Sequence, residues 1–161
     1  MLDRKQNRKE IERRLKVFSE VSRRHGDKTS HQRNEIYREL AKTHEHPDAE
    51  TLYKRVRKRI PSLSRDTVYR TLRRLEDEGL ISRLGAMSER TRFDANTDRH
   101  HHFVCTECGF IGDVYHEEWN NVRPPKDVTA MGKVNSVHVE LRGLCKACQK
   151  KQRANLHRKI K

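Results

Sequence analysis

The sequence is poor in apolar and aromatic residues. Of its 161 residues, 32% are hydrophobic and only 6% are Phe, Trp or Tyr. So little apolar material does not support one large compact core, and we expect small modules that gain stability from metal ions or a second subunit. The scarcity of aromatic rings also disfavours an RNA-binding zinc module, because such modules stack bases on aromatic side chains.

No long hydrophobic run is present either. A membrane-spanning helix needs about 20 consecutive apolar residues, and the sequence contains no such stretch. The first residues, Met1 to Glu10, lack the apolar region of a signal peptide. We therefore expect a soluble, cytoplasmic protein without membrane contact.

Acidic residues are outnumbered by basic ones. There are 37 Lys and Arg against 23 Asp and Glu, a net charge of +14 at pH 7, which favours a nucleic-acid partner. Residues 1–92 hold 25 basic and 15 acidic side chains and no cysteine, whereas residues 93–161 hold all four cysteines. This change in composition predicts two domains, 1–92 and 93–161, the second ending in a basic tail.

Apolar residues of the first domain recur at helical spacing. Ile11, Leu15 and Phe18 form one stripe on a helix from about Arg8 to Arg24. Three more helices are expected, and a hairpin of residues 80–84 and 91–94 follows, with its turn at Gly85. The first of these three helices begins at a cap on Thr29 or Ser30 and ends near His44. The second has Pro47 in its first turn and carries Leu52, Tyr53, Val56 and Ile60 on one side. The third begins at a cap on Ser62 or Ser64 and ends near Glu78.

Helices followed by a hairpin form the order of a winged helix-turn-helix, whose last helix enters the major groove of DNA. The exposed side of that helix would carry Arg65, Tyr69, Arg70 and Arg73. Arginine can bond bidentately to guanine, and a tyrosine can contact a thymine methyl group or a phosphate. Most charge runs on helices are only solvated faces, but the basic charge of the whole domain and the adjoining hairpin favour DNA contact.

Cysteine occurs only four times, as the pairs Cys105/Cys108 and Cys145/Cys148, each with two residues between. In a reducing compartment such pairs are metal ligands more often than disulfides. Four thiolates complete a tetrahedral zinc site and leave no open position for chemistry. We therefore predict a structural zinc ion.

Three consecutive histidines precede the first cysteine pair. In a strand, His100 and His102 share one face and His101 takes the other, because side chains alternate. Two imidazoles together with Asp94 and Asp113 would form a nitrogen and oxygen site. Such donors suit Fe(II), Mn(II) or Zn(II).

Several strings, taken together, resemble the ferric uptake regulator family of metal-dependent bacterial repressors, over the span from about Thr29 to Gln149. The strings are HPDAETLY (46–53), SRDTVYRTL (64–72), GLI (79–81), RFD (92–94), HxHxxCxxCG (100–109) and GxCxxC (143–148). The resemblance implies a homodimer that binds double-stranded operator DNA. It also implies an α+β fold, with an N-terminal winged helix-turn-helix domain and a small α/β dimerisation domain that holds the zinc ion on its four cysteines.

The resemblance further implies a regulatory Fe(II) or Mn(II) ion. Its ligands would be His46, Asp94, His100, His102 and Asp113. An ion that joins residues of both domains would favour the arrangement that binds DNA.

Asp113 points to one branch of this family. Its peroxide-sensing repressors resemble this chain in having aspartate there, whereas iron-uptake repressors usually have glutamate. The resemblance then implies that bound Fe(II) reacts with peroxide and oxidises His100 or His46, so that metal and DNA are released. The alternatives are an iron-uptake or zinc-uptake repressor of the same family and, in another class, a metallohydrolase acting on nucleic acid. Five protein ligands leave little room for a substrate, so we expect no enzyme.

Overall fold

The computed structural model describes residues 4–26, 30–84, 91–135 and 137–159. Contacts divide the chain into two compact units, Met1–Thr97 and Asp98–Lys161, which we call the first and the second unit. Both contain helices and strands, which confirms the α+β class. No helix in the described ranges is long and apolar enough to cross a membrane.

The first unit contains four helices followed by a hairpin. Its elements are α1 (Arg4–Arg24), α2 (His31–Ala41), α3 (Ala49–Arg57), α4 (Arg65–Asp77), β1 (Ser82–Leu84) and β2 (Arg92–Asp94). The two strands are antiparallel, and Arg83 pairs with Phe93. This is the element order predicted for a winged helix-turn-helix; the predicted turn at Gly85 lies outside the described residues.

Side-chain caps determine where the helices begin. Ser30, Asp48 and Ser64 each precede a helix, and each side chain accepts the backbone N–H three residues later. The predicted caps Ser30 and Ser64 are thus confirmed, while Thr29 lies outside the described residues. The prediction of Pro47 in the first turn of α3 was wrong, because Asp48 is the cap of this helix and Pro47 lies before it.

The end of α2 differs from the prediction. This helix ends at Ala41, three residues before the expected end near His44. The hydroxyl of Thr43 accepts the N–H of Glu45 at 3.1 Å. This side-chain bond replaces the backbone hydrogen bond that the N–H would make if the helix continued. The end of α4 agrees with the prediction, because Gly79 follows it with φ of +68°.

The core of the first unit lies between α2, α3 and α4. Its residues with 0% exposure are Ile36, Leu52, Val56, Val68 and Leu75. Each buried aliphatic side chain contributes about 1.5–3 kcal/mol to folding. Ile60 also belongs to this core, although α3 ends at Arg57 and does not include it, contrary to the predicted pattern.

Helix α1 packs its apolar stripe on α2. The Phe18 ring stacks on that of Tyr37 with centroids 4.5 Å apart, and Leu15 packs against the same core. Arg14 is buried beside them and its guanidinium donates to the Glu10 carboxylate at 2.8 Å. The stripe predicted on this helix is therefore the face by which it joins the domain.

The second unit is a small α/β structure. Its elements are β3 (His101–Cys105), β4 (Ile111–Val114), α5 (Glu117–Asn120), α6 (Lys126–Met131), β5 (Glu140–Gly143) and α7 (Lys146–Lys159). The strand order is β4-β3-β5, with β3 antiparallel to β4 and parallel to β5. The helix α7 occupies most of the basic tail.

Candidate metal centres and DNA-binding surface

The four cysteines come together in the second unit. Their Sγ atoms all lie within 4.8 Å of one another, as the zinc prediction requires. Cys105 ends β3, and its pairing with Gly143 places the end of β5, and hence Cys145, beside it. Cys108 lies in the turn after β3, and Cys148 lies in the first turn of α7.

A tight turn aligns the first cysteine pair. The N–H of Gly109 donates to the carbonyl oxygen of Cys105 at 3.0 Å, and the N–H of Cys105 donates to Phe110 at 2.8 Å. Gly109 has φ of +68°, a conformation that residues with a Cβ rarely adopt. The turn therefore requires glycine at this position.

Backbone amides and neighbouring sulfurs shift the pKa of two of these thiols, Cys105 and Cys148, in opposite directions. The N–H groups of Cys108 and Cys145 point at the Cys105 sulfur and lower the pKa of that thiol to about 6. The sulfur of Cys145, followed by that of Cys108, raises the pKa of the Cys148 thiol to about 12. None of the four forms a disulfide. A divalent cation would stabilise all four as thiolates, and a tetrahedral zinc ion fits this donor set.

His46 and Asp94 form a buried pair in the first unit. The His46 Nε2 lies 3.6 Å from the Asp94 Oδ2, and the residues are 2% and 5% exposed. Strand β2 holds the pair together, because Phe93 N–H donates to the Pro47 carbonyl at 3.1 Å and the Arg92 guanidinium donates to the His46 carbonyl at 3.3 Å. His46 has φ of +48°, which is uncommon for a residue other than glycine and is held by these contacts.

His100, His102 and Asp113 form a second set, within the second unit. The Nε2 atoms of the two histidines are 2.9 Å apart, and Asp113 lies opposite His102 across β3 and β4. The Asp113 Oδ1 is 3.9 Å from the His100 Nε2. The His100 Nδ1 lies 2.7 Å from the carbonyl oxygen of Asp98. A proton on Nδ1 satisfies that carbonyl and leaves the Nε2 lone pair for a metal ion.

His101 points away from this set, as strand alternation predicts. Burial is the main cause that lowers the pKa of His101. Its Nδ1 accepts the backbone N–H of Val139 at 3.2 Å. The role of His101 was not predicted from sequence, because the partner of its ring is a main-chain amide that leaves no pattern of residue types.

The predicted DNA-contacting residues lie on one exposed side of α4. All four of Arg65, Tyr69, Arg70 and Arg73 are exposed, whereas Val68 and Leu72 face the core. Arg65 bonds the Glu50 carboxylate at 2.9 and 3.1 Å, and this lowers the pKa of Glu50. Arg70 lies 3.2 Å from Asp66 on the same helix.

A cleft of about 500 Å³ adjoins this helix within the first unit. Its lining includes Tyr69 and Arg73 of α4, Lys54 of α3 and Arg83 of β1. The sequence pattern did not single out Arg83. Its position as a basic residue within the predicted winged-helix hairpin was the signal that could have found it.

Comparisons with known proteins agree with this arrangement. The profile of the ferric uptake regulator family matches residues 24–142. The peroxide-responsive repressor PerR of Staphylococcus aureus is 32% identical over 141 residues, which cover 88% of this chain and 95% of that protein. The ferric uptake regulator of Helicobacter pylori, whose structure has three functional metal-binding sites, gives a TM-score of 0.70 at 28% identity and covers 86% of this chain and 93% of its own.

A second solved structure, the peroxide stress regulator of Campylobacter jejuni, gives a TM-score of 0.63 at 28% identity. The match covers 83% of this chain and 98% of that one. The profile match extends over most of both units, and the relatives are matched over almost their whole length. The chain therefore belongs to the ferric uptake regulator family, whose members are metal-dependent transcriptional regulators.

Proposed function

We propose that this chain is a homodimeric repressor that binds operator DNA while it holds a regulatory metal ion and releases DNA after oxidation by peroxide. The observation that carries the proposal is the set formed by the buried His100 and His102 with the half-buried Asp113, in which His100 turns its Nε2 toward the other donors. The 32% identity to a peroxide-responsive repressor supports the same function.

The regulatory ion takes its ligands from both donor sets. His46 and Asp94 offer two donors, and His100, His102 and Asp113 offer three, so neither set alone fills the coordination shell of Fe(II) or Mn(II). An ion bound by both sets favours the domain arrangement in which all of them reach it. Because the metal binds more tightly to the DNA-binding state than to the other state, metal binding shifts the dimer toward the DNA-binding state.

The zinc ion has a separate, structural task. The thiolates of Cys105, Cys108, Cys145 and Cys148 close its coordination shell, so peroxide and substrates find no open position on it. It joins the ends of β3 and β5 to the start of α7. These thiols must stay reduced to bind zinc, and we infer from this and from the DNA partner that the protein acts in the cytoplasm.

DNA is read by the exposed side of α4. The guanidinium groups of Arg65, Arg70 and Arg73 and the phenol of Tyr69 contact base edges or phosphates of the operator. Arg65 and Arg70 can exchange their solvent-exposed carboxylate partners for DNA at little cost. We assign no catalytic residue to the chain.

Oxidation acts on a ligand histidine. When bound, Fe(II) supplies the one-electron chemistry that cleaves the O–O bond of hydrogen peroxide. Overall, one peroxide oxygen is inserted into a ring C–H bond of His100 or His46, the other leaves as water, and the ring gives up the two electrons that peroxide accepts. The oxidised ring is a poorer ligand, so the population returns to the state that does not bind DNA.

A DNA-binding titration with defined metals tests the proposal. Protein with one zinc per chain is loaded with Fe(II) or Mn(II) under anaerobic conditions, and its operator is selected from a pool of random duplexes with the Mn(II) form. We expect both metal forms to bind this operator and the form without regulatory metal not to bind. Brief peroxide treatment should release DNA from the Fe(II) form alone.

Two outcomes would contradict the peroxide proposal. If peroxide leaves both forms bound, the chain is a metal-uptake repressor of the same family. If release follows oxidation of the cysteines while the histidines stay intact, the zinc site is the sensor. DNA binding that needs no regulatory metal would contradict metal dependence itself.

A further inference from the structure

Helix α7 carries a basic surface that has no part in the functions described above. Residues 144–161 include seven Lys or Arg and no Asp or Glu. In the part of this helix whose side chains the structure describes, 146–155, the basic residues are all exposed; they are Lys146, Lys150, Lys151 and Arg153. Within the described part of the chain, none of these four forms an ion pair with an acidic side chain.

Three of these residues lie on one side of the helix. Lys150 and Arg153 follow Lys146 by four and seven residues, the spacing that brings side chains together on a helical face. Cys148 lies about 200° around the axis from Lys146, because an α-helix has 3.6 residues per turn. Cys148 is 8% exposed and belongs to the zinc site. Lys146, Lys150 and Arg153, which we call the α7 basic face, are therefore on the side of the helix away from zinc.

Interactions within the helix do not account for this face. In α1, Arg8 pairs with Glu12 one turn away, a contact of opposite charges that stabilises a helix. In α7, Lys146 and Lys150 have the same spacing but equal charge, and Arg153 adds a third positive charge beside Lys150. Like charges at this spacing destabilise a helix. A partner with negative charge would relieve their repulsion.

The zinc site fixes the start of the helix that presents this face. Cys148 lies in the first turn of α7, and the N–H of Gln149 donates to the Cys145 carbonyl at 2.9 Å. The side chain of Gln149 also donates to the Leu144 carbonyl at 2.8 Å. The backbone that carries Lys146 and Lys150 is thus ordered before any partner binds, which lowers the entropic cost of binding.

The composition of α7 favours a phosphate backbone over a membrane surface. A helix that lies on a membrane buries a broad apolar face, whereas the apolar residues among 146–155 are only Ala147, Cys148 and Ala154. Lys146 and Arg153 are about 10 Å apart along the axis, from a rise of 1.5 Å per residue. Duplex DNA carries one negative charge per about 1.7 Å of its length, so several phosphates lie within that distance.

We propose that the α7 basic face binds the sugar-phosphate backbone of double-stranded DNA. It contributes affinity that does not depend on sequence, whereas the exposed side of α4 reads bases. The choice of duplex DNA as the partner rests on the proposed function, in which DNA is what the protein binds.

The salt dependence of DNA binding tests this assignment. Zinc-loaded, full-length protein without regulatory metal is titrated with a random DNA duplex at several low KCl concentrations. We expect the triple variant Lys146→Gln, Lys150→Gln, Arg153→Gln to reduce the slope of log affinity against log salt by about 2.7 for each α7 that contacts the duplex. Each neutralised phosphate contributes about 0.9 to that slope. A zinc content of one per chain shows that the cysteine site of the variant is intact.

The matched control removes the same charge elsewhere in the second unit. Arg123→Gln, Lys133→Gln, Arg142→Gln together replace three exposed basic residues outside α7. This variant has the same net charge as the α7 variant, so general attraction between protein and DNA falls equally in both. We expect its slope to change by less than one phosphate contact, about 0.9.

Three results would overturn the proposal. An unchanged slope in the α7 variant would show that the face does not touch DNA, and an equal reduction in both variants would show that only net charge matters. An α7 variant that loses affinity for polyglutamate but not for DNA would assign the face to an acidic protein. The measurement uses neither operator nor peroxide, so these results leave the proposed function untouched, while a failure to select any operator would contradict that function and not the α7 contact.

Discussion

Arg33 of α2 and Glu78 at the end of α4 form an ion pair whose side chains are only 8% and 7% exposed. Arg74 contacts the same carboxylate at 3.1 Å from within α4, and the Arg33 guanidinium lies 5.5 Å from the centre of the Phe18 ring. The pair thus connects three helices of the first unit. A buried charge that loses its partner costs more than the pair itself contributes, so this contact is a sensitive point of the fold.

We expect Arg33→Met to lower the free energy of unfolding by about 3 kcal/mol, the lower end of the usual cost, because Arg74 stays beside Glu78. The control is Arg59→Met, which removes an exposed arginine paired with Glu35 and Glu39 and should cost about 0–1 kcal/mol. Urea denaturation of the zinc-loaded protein measures both. Equal losses in the two variants would show that burial of the Arg33 pair is not decisive.

The zinc site should be essential for the second unit. We expect Cys145→Ser to lose zinc and with it the cooperative unfolding and the dimer, because a structural zinc contributes its binding energy to folding. Metal analysis, circular dichroism and size-exclusion chromatography measure these effects, with Thr106→Ala in the neighbouring turn as control. A Cys145→Ser protein that is dimeric, cooperative and free of zinc would contradict the structural role.

Local signals in the sequence were sufficient for much of this structure. A capping serine such as Ser64 acts through an atom three residues away, and the two Cys-x-x-Cys pairs carry their geometry in their spacing. The alternation of His100, His101 and His102 follows from the two-residue period of a strand. Each of these features depends on residues that are close together in the sequence, so one sequence is enough to predict it.

Contacts made by the main chain were not predictable in the same way. The carbonyl of Asp98 orients His100, and the amide of Val139 orients His101, but every residue offers the same carbonyl and amide. The early end of α2 depends on the Thr43 hydroxyl, which accepts the backbone N–H of Glu45 instead of bonding to solvent. Which hydrogen-bond partner each of these groups finds depends on the surrounding fold.

Two substitutions should separate base reading from phosphate contact. We expect Arg70→Ala to cost about 1–3 kcal/mol on the operator and to relax sequence preference, as for an arginine that reads bases. Lys54→Ala should weaken operator and random DNA alike and reduce the slope of log affinity against log salt by about 0.9. Titrations at several salt concentrations measure both. Equal loss on the two DNAs for Arg70→Ala would make Arg70 a phosphate contact.

The histidine donors should be needed for the regulatory ion and not for zinc. We expect His102→Ala to lower Mn(II) affinity at least about tenfold. Even the loss of a residue that only hydrogen-bonds to a metal ligand has an effect of that size. Zinc content should stay at one per chain. His116→Ala, which removes a ring stacked on Trp119, is the matched control and should keep Mn(II) affinity. Unchanged Mn(II) binding by the His102 variant would remove this residue from the ligand set.

The last prediction concerns the length of the acidic ligand. Asp113 has a short side chain that accepts a bond from the Tyr115 hydroxyl at 3.5 Å, and its Oδ1 lies 3.9 Å from the His100 Nε2. We expect Asp113→Glu to keep Mn(II)-dependent DNA binding, because the charge and the donor type are retained. The longer side chain can bind a metal with both oxygens and so occupy the position that peroxide needs. Oxygen insertion into His100 or His46 of the Fe(II) form should then slow by about tenfold or more, the size of effect that changes around metal ligands produce. Peptide mass spectrometry after timed peroxide exposure gives the rate, and wild-type protein with Mn(II) gives the background. Equal oxidation rates in Asp113→Glu and wild-type protein would show that the shorter carboxylate is not what admits peroxide.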